Sequence, residues 1–119
     1  MARDVALIST WDAPVRGREA KSLEVFMELL AFWGQKASEG QCQQPEAYFS
    51  TDGSTGVFVV KGKSDVLREI SESDEAQKLL AKGHMIVEGL KSNWYFAGDE
   101  EIQRGTQIFV QAGSELGYM

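Results

Sequence analysis

His84 is the single side chain whose ordinary pKa makes it a ready proton shuttle near neutrality, so it is the first candidate for general acid or base work. It stands beside Gly83, where the pattern places the junction of a short helix and a strand. Trp11-Asp12 closes an apolar run and is followed by Arg16 and Arg18. An aromatic wall, a carboxylate and two cations thus meet at a strand terminus, where ligand pockets are often built. Tyr48 and the run Asn93-Trp94-Tyr95 form a second set. Amphipathic aromatics on strands can hold a flat ligand while a phenol or amide orients it. Phe26 and Trp33, with Met27, would supply an apolar helical wall to the same cavity.

Other chemistries fail on spacing. Gly56-Val57-Phe58-Val59-Val60-Lys61-Gly62-Lys63-Ser64 ends like a phosphate loop, but five residues separate its glycines where that loop has four. Val57 to Val60 also reads as a strand, not as a flexible cradle. There is no G-x-S-x-G elbow, and Cys42, the only cysteine, lies in the polar stretch Gly40 to Gln44, a poor place for a nucleophile paired with His84. A lone histidine makes a poor metal site, so no metal is expected. His84 as axial ligand would be the sole support for haem, so no cofactor is expected either.

The elements that must position these residues follow from periodicity. Val5 to Trp11 is rich in strand formers and stops before Asp12-Ala13-Pro14. From Glu19 to about Gln35, Leu23, Phe26, Met27, Leu30 and Trp33 recur on one helical face, and Gly34 or Gly40 ends the helix. Gln44 to Thr51 and Val57 to Lys61 read as a hairpin around Asp52 to Gly56. Between Ser64 and Lys82 the apolar face rotates by roughly 130° at Ser71 to Glu75, which one straight helix cannot accommodate. Two helices are therefore expected, Asp65 to Ser71 and Asp74 to Lys82, the second capped by Ser73 and stopped by Gly83. Met85 to Ala97 reads as one long strand bent at Gly89, residues 99–112 as a C-terminal helix, and residues 113–119 as a loose tail.

The chain has 119 residues, 43% of them hydrophobic and 25% charged, which fits one ordinary globular domain, 1–119. A net charge of −6 argues against nucleic acid and against an anionic membrane surface, both of which draw on clustered Lys and Arg. No run approaches the length of a membrane span. Val5 to Ile8 is too short for a secretory signal, so a cytoplasmic location is the default expectation.

The order β-α-β-β-α-β is the ferredoxin-like pattern, an α+β arrangement of one antiparallel sheet with helices on one face, here spanning residues 4–98 and followed by a C-terminal helix. Its sheet would be apolar on both sides, because Val57 and Val59 alternate with Phe58 and Val60, and Val5 and Leu7 with Ala6 and Ile8. Val25, Leu29 and Phe32 likewise widen the apolar arc of the first helix to roughly 220°. Surfaces of this kind need a cover, either a partner subunit or the C-terminal helix.

The element order, the paired helices in V-L-R-E-I-S-E-S-D-E-A-Q-K-L-L and the two-sided strands resemble the dimeric α+β barrel superfamily. That resemblance implies a homodimer with sheets face to face and a ligand-sized cavity between sheet and first helix. It also implies activities ranging from cofactor-independent monooxygenases through lyases and isomerases to effector-binding proteins. The expected function is binding of, or cofactor-independent catalysis on, a small apolar or aromatic metabolite, with a non-catalytic effector-binding or structural interaction module as the alternative.

Overall fold

The computed structural model describes residues 2–119. Its elements are β1 (Asp4–Trp11), α1 (Glu19–Ser38), β2 (Glu46–Phe49), β3 (Gly56–Lys63), α2 (Ser64–Ser71), α3 (Asp74–Ile86), β4 (Lys91–Phe96) and α4 (Asp99–Glu115). The four strands form one antiparallel sheet in the order β2-β3-β1-β4. This is the ferredoxin-like arrangement. No helix among the described residues is long and apolar enough to cross a membrane.

Directly opposed residues share a face of an antiparallel pair, so the register sorts the side chains. Leu7 lies opposite Val60 and Trp94, and Ser9 opposite Phe58 and Ser92, all on the helix-covered face. Ala6, Ile8, Tyr48, Val57, Val59 and Tyr95 take the other, open face. The core forms where α1 and α2 meet the covered face, around Val5, Phe32, Trp33, Phe58, Val60, Leu67 and Ile70. Leu67 is fully buried.

Helix ends follow local chemistry. Gly34 sits inside α1, and Gly40 ends it: at φ +78° it lets its own N–H reach Ala37 O and the N–H of Gln41 reach Lys36 O, the paired bonds of a Schellman turn. The break between α2 and α3 falls where the rotated apolar face requires it, and Ser73 Oγ accepts the Ala76 N–H at 3.3 Å.

Three expected boundaries move. Gly83 does not stop α3, which runs through His84 to Ile86, and it packs close to Leu90, whose Cδ2 would lie 2.8 Å from a Cβ there. The expected strand from Met85 shrinks accordingly to Lys91–Phe96. Residues 86–88 instead pair with the segment after β1, through Val15 N to Ile86 O, Asp12 N to Glu88 O and Glu88 N to Ala13 O, and the chain bends at Gly89. The C-terminal helix continues three residues past 112 to Glu115, and Gly117 closes it with a second Schellman turn, so helical order enters the stretch expected to be loose.

Candidate functional site

A cavity of about 480 Å³ lies between the covered face of the sheet, α1 and α3. Alternation along β1 delivers Leu7, Ser9 and Trp11 to it, and the partner strand β4 delivers Ser92 and Trp94. On α1 the spacing of Phe26, Leu29 and Trp33 places them on the opposite wall. Leu79, Gly83 and Ile86 of α3 close a third side. The chain has three tryptophans, and all three line this space.

Near the opening the aromatic rings brace one another. Phe26 stands 5.3 Å from Phe49 and 6.1 Å from Trp11, centroid to centroid, and Trp11 meets Phe49 edge-on at 6.4 Å. The Trp11 indole lies flat on Gly56, where a Cβ would come within 2.3 Å of Cζ2, so only a bare backbone lets the ring adopt this position. Trp33 is 4% exposed and Trp94 37%, and the Arg68 guanidinium sits 5.5 Å over the Trp94 ring.

Polar groups are few. Ser9 Oγ and Ser92 Oγ lie 2.8 Å apart across the β1/β4 pair, so one hydroxyl hydrogen of the pair is left over for a ligand acceptor. Asp12 and Glu19 are the only ionisable side chains in the lining. The Asp12 carboxylate rests against Gly89, where a Cβ would lie 2.4 Å from Oδ2, and the left-handed φ of +65° at Gly89 makes that approach possible. Such a site can enclose an aromatic body, offer one hydroxyl donor and accept one proton.

Of the residues singled out from the sequence, Trp11, Asp12, Phe26, Trp33 and Trp94 come together here. Tyr48 does not. It lies opposite Val57 on the open face, half exposed, with its hydroxyl bonded to Glu46; that bond raises the phenol's pKa, and the same bond with Lys61 nearby lowers that of Glu46. Strand alternation also splits the Asn93-Trp94-Tyr95 set, sending only Trp94 to the cavity. His84 is exposed on α3 and does not line the cavity, because the helix carries it past the expected junction. The Cys42 thiol packs beside the core, and burial pushes its pKa up, away from the reactive thiolate. Among the described residues no three His, Cys, Asp or Glu side chains converge as a metal site would need.

The sequence reading missed the Ser9–Ser92 pair, Leu7 and Phe49. Counting back by twos would have found Leu7 and Ser9 from Trp11 and Ser92 from Trp94, whereas Phe49 required the strand register.

No protein-family model matches the sequence, and no curated protein matches it. Solved structures do match its fold. A mutant of SnoaB, a cofactor-independent oxygenase from Streptomyces nogalater, superposes with a TM-score of 0.66 at 14% identity, covering 81% of this chain and 94% of that one. A Bacteroides thetaiotaomicron conserved protein of unknown function, named as a possible oxidoreductase, gives 0.65 at 14% identity over 82% of this chain and 100% of its own. A Deinococcus radiodurans protein, named as a candidate antibiotic biosynthesis monooxygenase, gives 0.63 at 12% identity over 80% and 93%. With its sheet order, its covered face and these neighbours, the chain has the ferredoxin-like α+β fold.

Proposed function

We propose that this protein encloses a small apolar or aromatic molecule in the cavity between sheet, α1 and α3, works as a homodimer joined through the open sheet faces, and carries out cofactor-independent oxygenation of that molecule. The observation that carries the reading is the lining: three tryptophans and Phe26 around about 480 Å³, with Asp12 and Glu19 as the only charged groups. This is the composition of a pocket that holds an aromatic body and orients it through a few polar contacts. Oxygenase chemistry enters from the fold neighbours, one of which is a cofactor-independent oxygenase. Without a cofactor the substrate itself must supply the electrons, which calls for an electron-rich hydroxyaromatic whose ionisation a nearby base assists. In this reading Asp12 is that base and the Ser9–Ser92 pair holds a ligand oxygen. His84 has no part in it, because it does not reach the lining.

The homodimer draws support from the open face. Tyr48 and Tyr95 are exposed there beside the partly covered Ile8, Val57 and Val59. The apolar and aromatic side chains in the middle of that face are a surface a second copy could cover.

Titration with 2-naphthol tests the site. Saturable quenching of the indole fluorescence, weakened at least tenfold in Trp33→Ala, is the expected result, and quenching that never saturates would sink the binding site. Chromatography and mass spectrometry after incubation under oxygen then separate the two readings, since an oxygenated product indicates an enzyme and recovered 2-naphthol favours the non-catalytic binding module.

A further inference from the structure

Charge is distributed unevenly around the cavity. Among the described residues its lining holds two carboxylates, Asp12 and Glu19, and no lysine, arginine or histidine. Both carboxylates are exposed and so stand at the opening, whereas Leu7 and Leu29 are partly covered and Trp33 is buried. The acidic end is the end through which a ligand enters.

Helix period places Glu19 there. It lies four residues before Leu23 and seven before Phe26, on the face of α1 that walls the cavity, and Ser22 adds a hydroxyl to the lining one turn on. A carboxylate in the first turn of a helix suits the dipole whichever way it faces. The dipole therefore accounts for an acid at this position, and not for an acid on the cavity side. Nearby cations leave it unneutralised. Lys21 bridges to Glu24 at 3.1 Å, Arg18 donates to the Met85 carbonyl, and neither of them nor Arg16 forms an ion pair with Asp12 or Glu19.

Aromatic rings complete the opening. Trp11, which precedes Asp12, clusters with Phe26 and Phe49, and the three planes are tilted 52° to 77° to one another, so their faces turn in different directions. The face of an aromatic ring attracts a cation within about 6 Å, more strongly as water is removed. Carboxylates beside such rings favour an organic cation and repel an anion. A metal ion is the poorer occupant, since no three ligating side chains converge among the described residues.

We propose that Glu19 and Ser22 anchor a primary ammonium group at the opening, so that the cavity takes an aromatic amine with its ring body inside, against the tryptophans. This rests on the reading of the cavity as a ligand site and narrows its substrate to a hydroxyaromatic that carries an amine. An ammonium has three N–H donors. Glu19 and Ser22 accept two and water at the opening accepts the third, which leaves Asp12 free for the ligand's hydroxyl. The net charge of −6 acts in the same direction by drawing cations toward the protein.

Three ligands with one naphthalene body test the anchor: 2-naphthylmethylamine as the cation, 2-naphthol as the neutral form and 2-naphthoate as the anion. Each is titrated into the full chain by calorimetry at neutral pH. The amine is expected to bind about tenfold tighter than 2-naphthol, and 2-naphthoate more weakly than either. Glu19→Gln should bring the ratio of amine to 2-naphthol affinity to within about twofold of one, Glu19→Asp should keep part of the preference, and added salt should shrink it. Saturable 2-naphthol binding with no preference for the amine, or a preference that survives in Glu19→Gln, overturns the ammonium anchor and leaves the aromatic cavity standing. If 2-naphthoate binds tightest, the charged end of the ligand lies instead beside Arg68, over the Trp94 ring, and the proposal is likewise overturned. If none of the three saturates, the cavity is not a ligand site and both readings fall.

Discussion

Helices α1 and α4 carry similar sequence signals and meet opposite fates. Each spans four turns or more with an apolar arc far wider than the usual stripe, yet α1 buries Phe32 and Trp33 in the core and walls the cavity, whereas α4 buries only Glu101 at its root. The difference lies in the connections. The segment from Asp12 to Arg18 returns α1 across the sheet, held by its bonds to residues 86–88, and Arg18 Nη1 donates to the Met85 carbonyl. Helix α4 leaves β4 through Gly98 at φ +91° and is directed outward by Glu101 and Arg3. Amphipathicity says that a helix will be covered; the turn before it decides by what.

Substitutions on the two sides of this contrast should separate widely. Leu67→Ala, fully buried in the core that also holds Phe32 and Trp33 of α1, is expected to cost about 3 to 4 kcal/mol in urea denaturation. A cost below about 1 kcal/mol would mean that the packed side is no tighter than the projecting one. Next comes Gly56→Ala, whose methyl group must displace the Trp11 indole; about 2 kcal/mol and a loss of 2-naphthol quenching are expected together. Retained quenching would show that Trp11 does not shape the cavity. Ile108→Ser on α4, measured at concentrations low enough for monomer, should stay within about 0.5 kcal/mol. A large loss there would put α4 on its own body.

The smallest effect concerns the β2–β3 turn. Hydrogen bonds from Ser54, and then Ser50, hold the Asp52 carboxyl at about 2, below its ordinary 3.8. Because the folded value is the lower one, what this group adds to stability is complete above about pH 4 and fades as the pH falls through 2. Carboxyl-carbon NMR should find the Asp52 midpoint near 2 and return it toward 3.8 in Ser54→Ala. An unchanged midpoint would remove the Ser54 contribution.

Much of this molecule is legible in its residues. The runs of strand formers in β1 and β3, the 3.6-residue period of α1 and the rotated face at Ser73 give the order of elements, since each is a local property of neighbouring side chains. What escaped was non-local. Gly83 looks like a helix stop, and only the packing of the segment after it, with Leu90 close by, shows the helix continuing through it. Likewise Tyr48 and Trp94 are both strand aromatics, and only the register sends one to the open face and the other to the cavity. His84 stood out for its chemistry, but one more turn of α3 keeps it out of the lining.

The sheet order sets a timetable for the growing chain. Strand β1 is a central strand flanked by β3 and β4, and Val5 finds its partner Phe96 only once β4 has been made. Contacts of such sequence separation form late and slow folding. Until β4 emerges, then, an apolar strand is present with an edge unpaired, and an unpaired edge invites pairing with another chain. The acidic flank of β1 at Asp4 and the early turn at Pro14 limit that hazard, because both interrupt an approaching strand before it can extend along the edge.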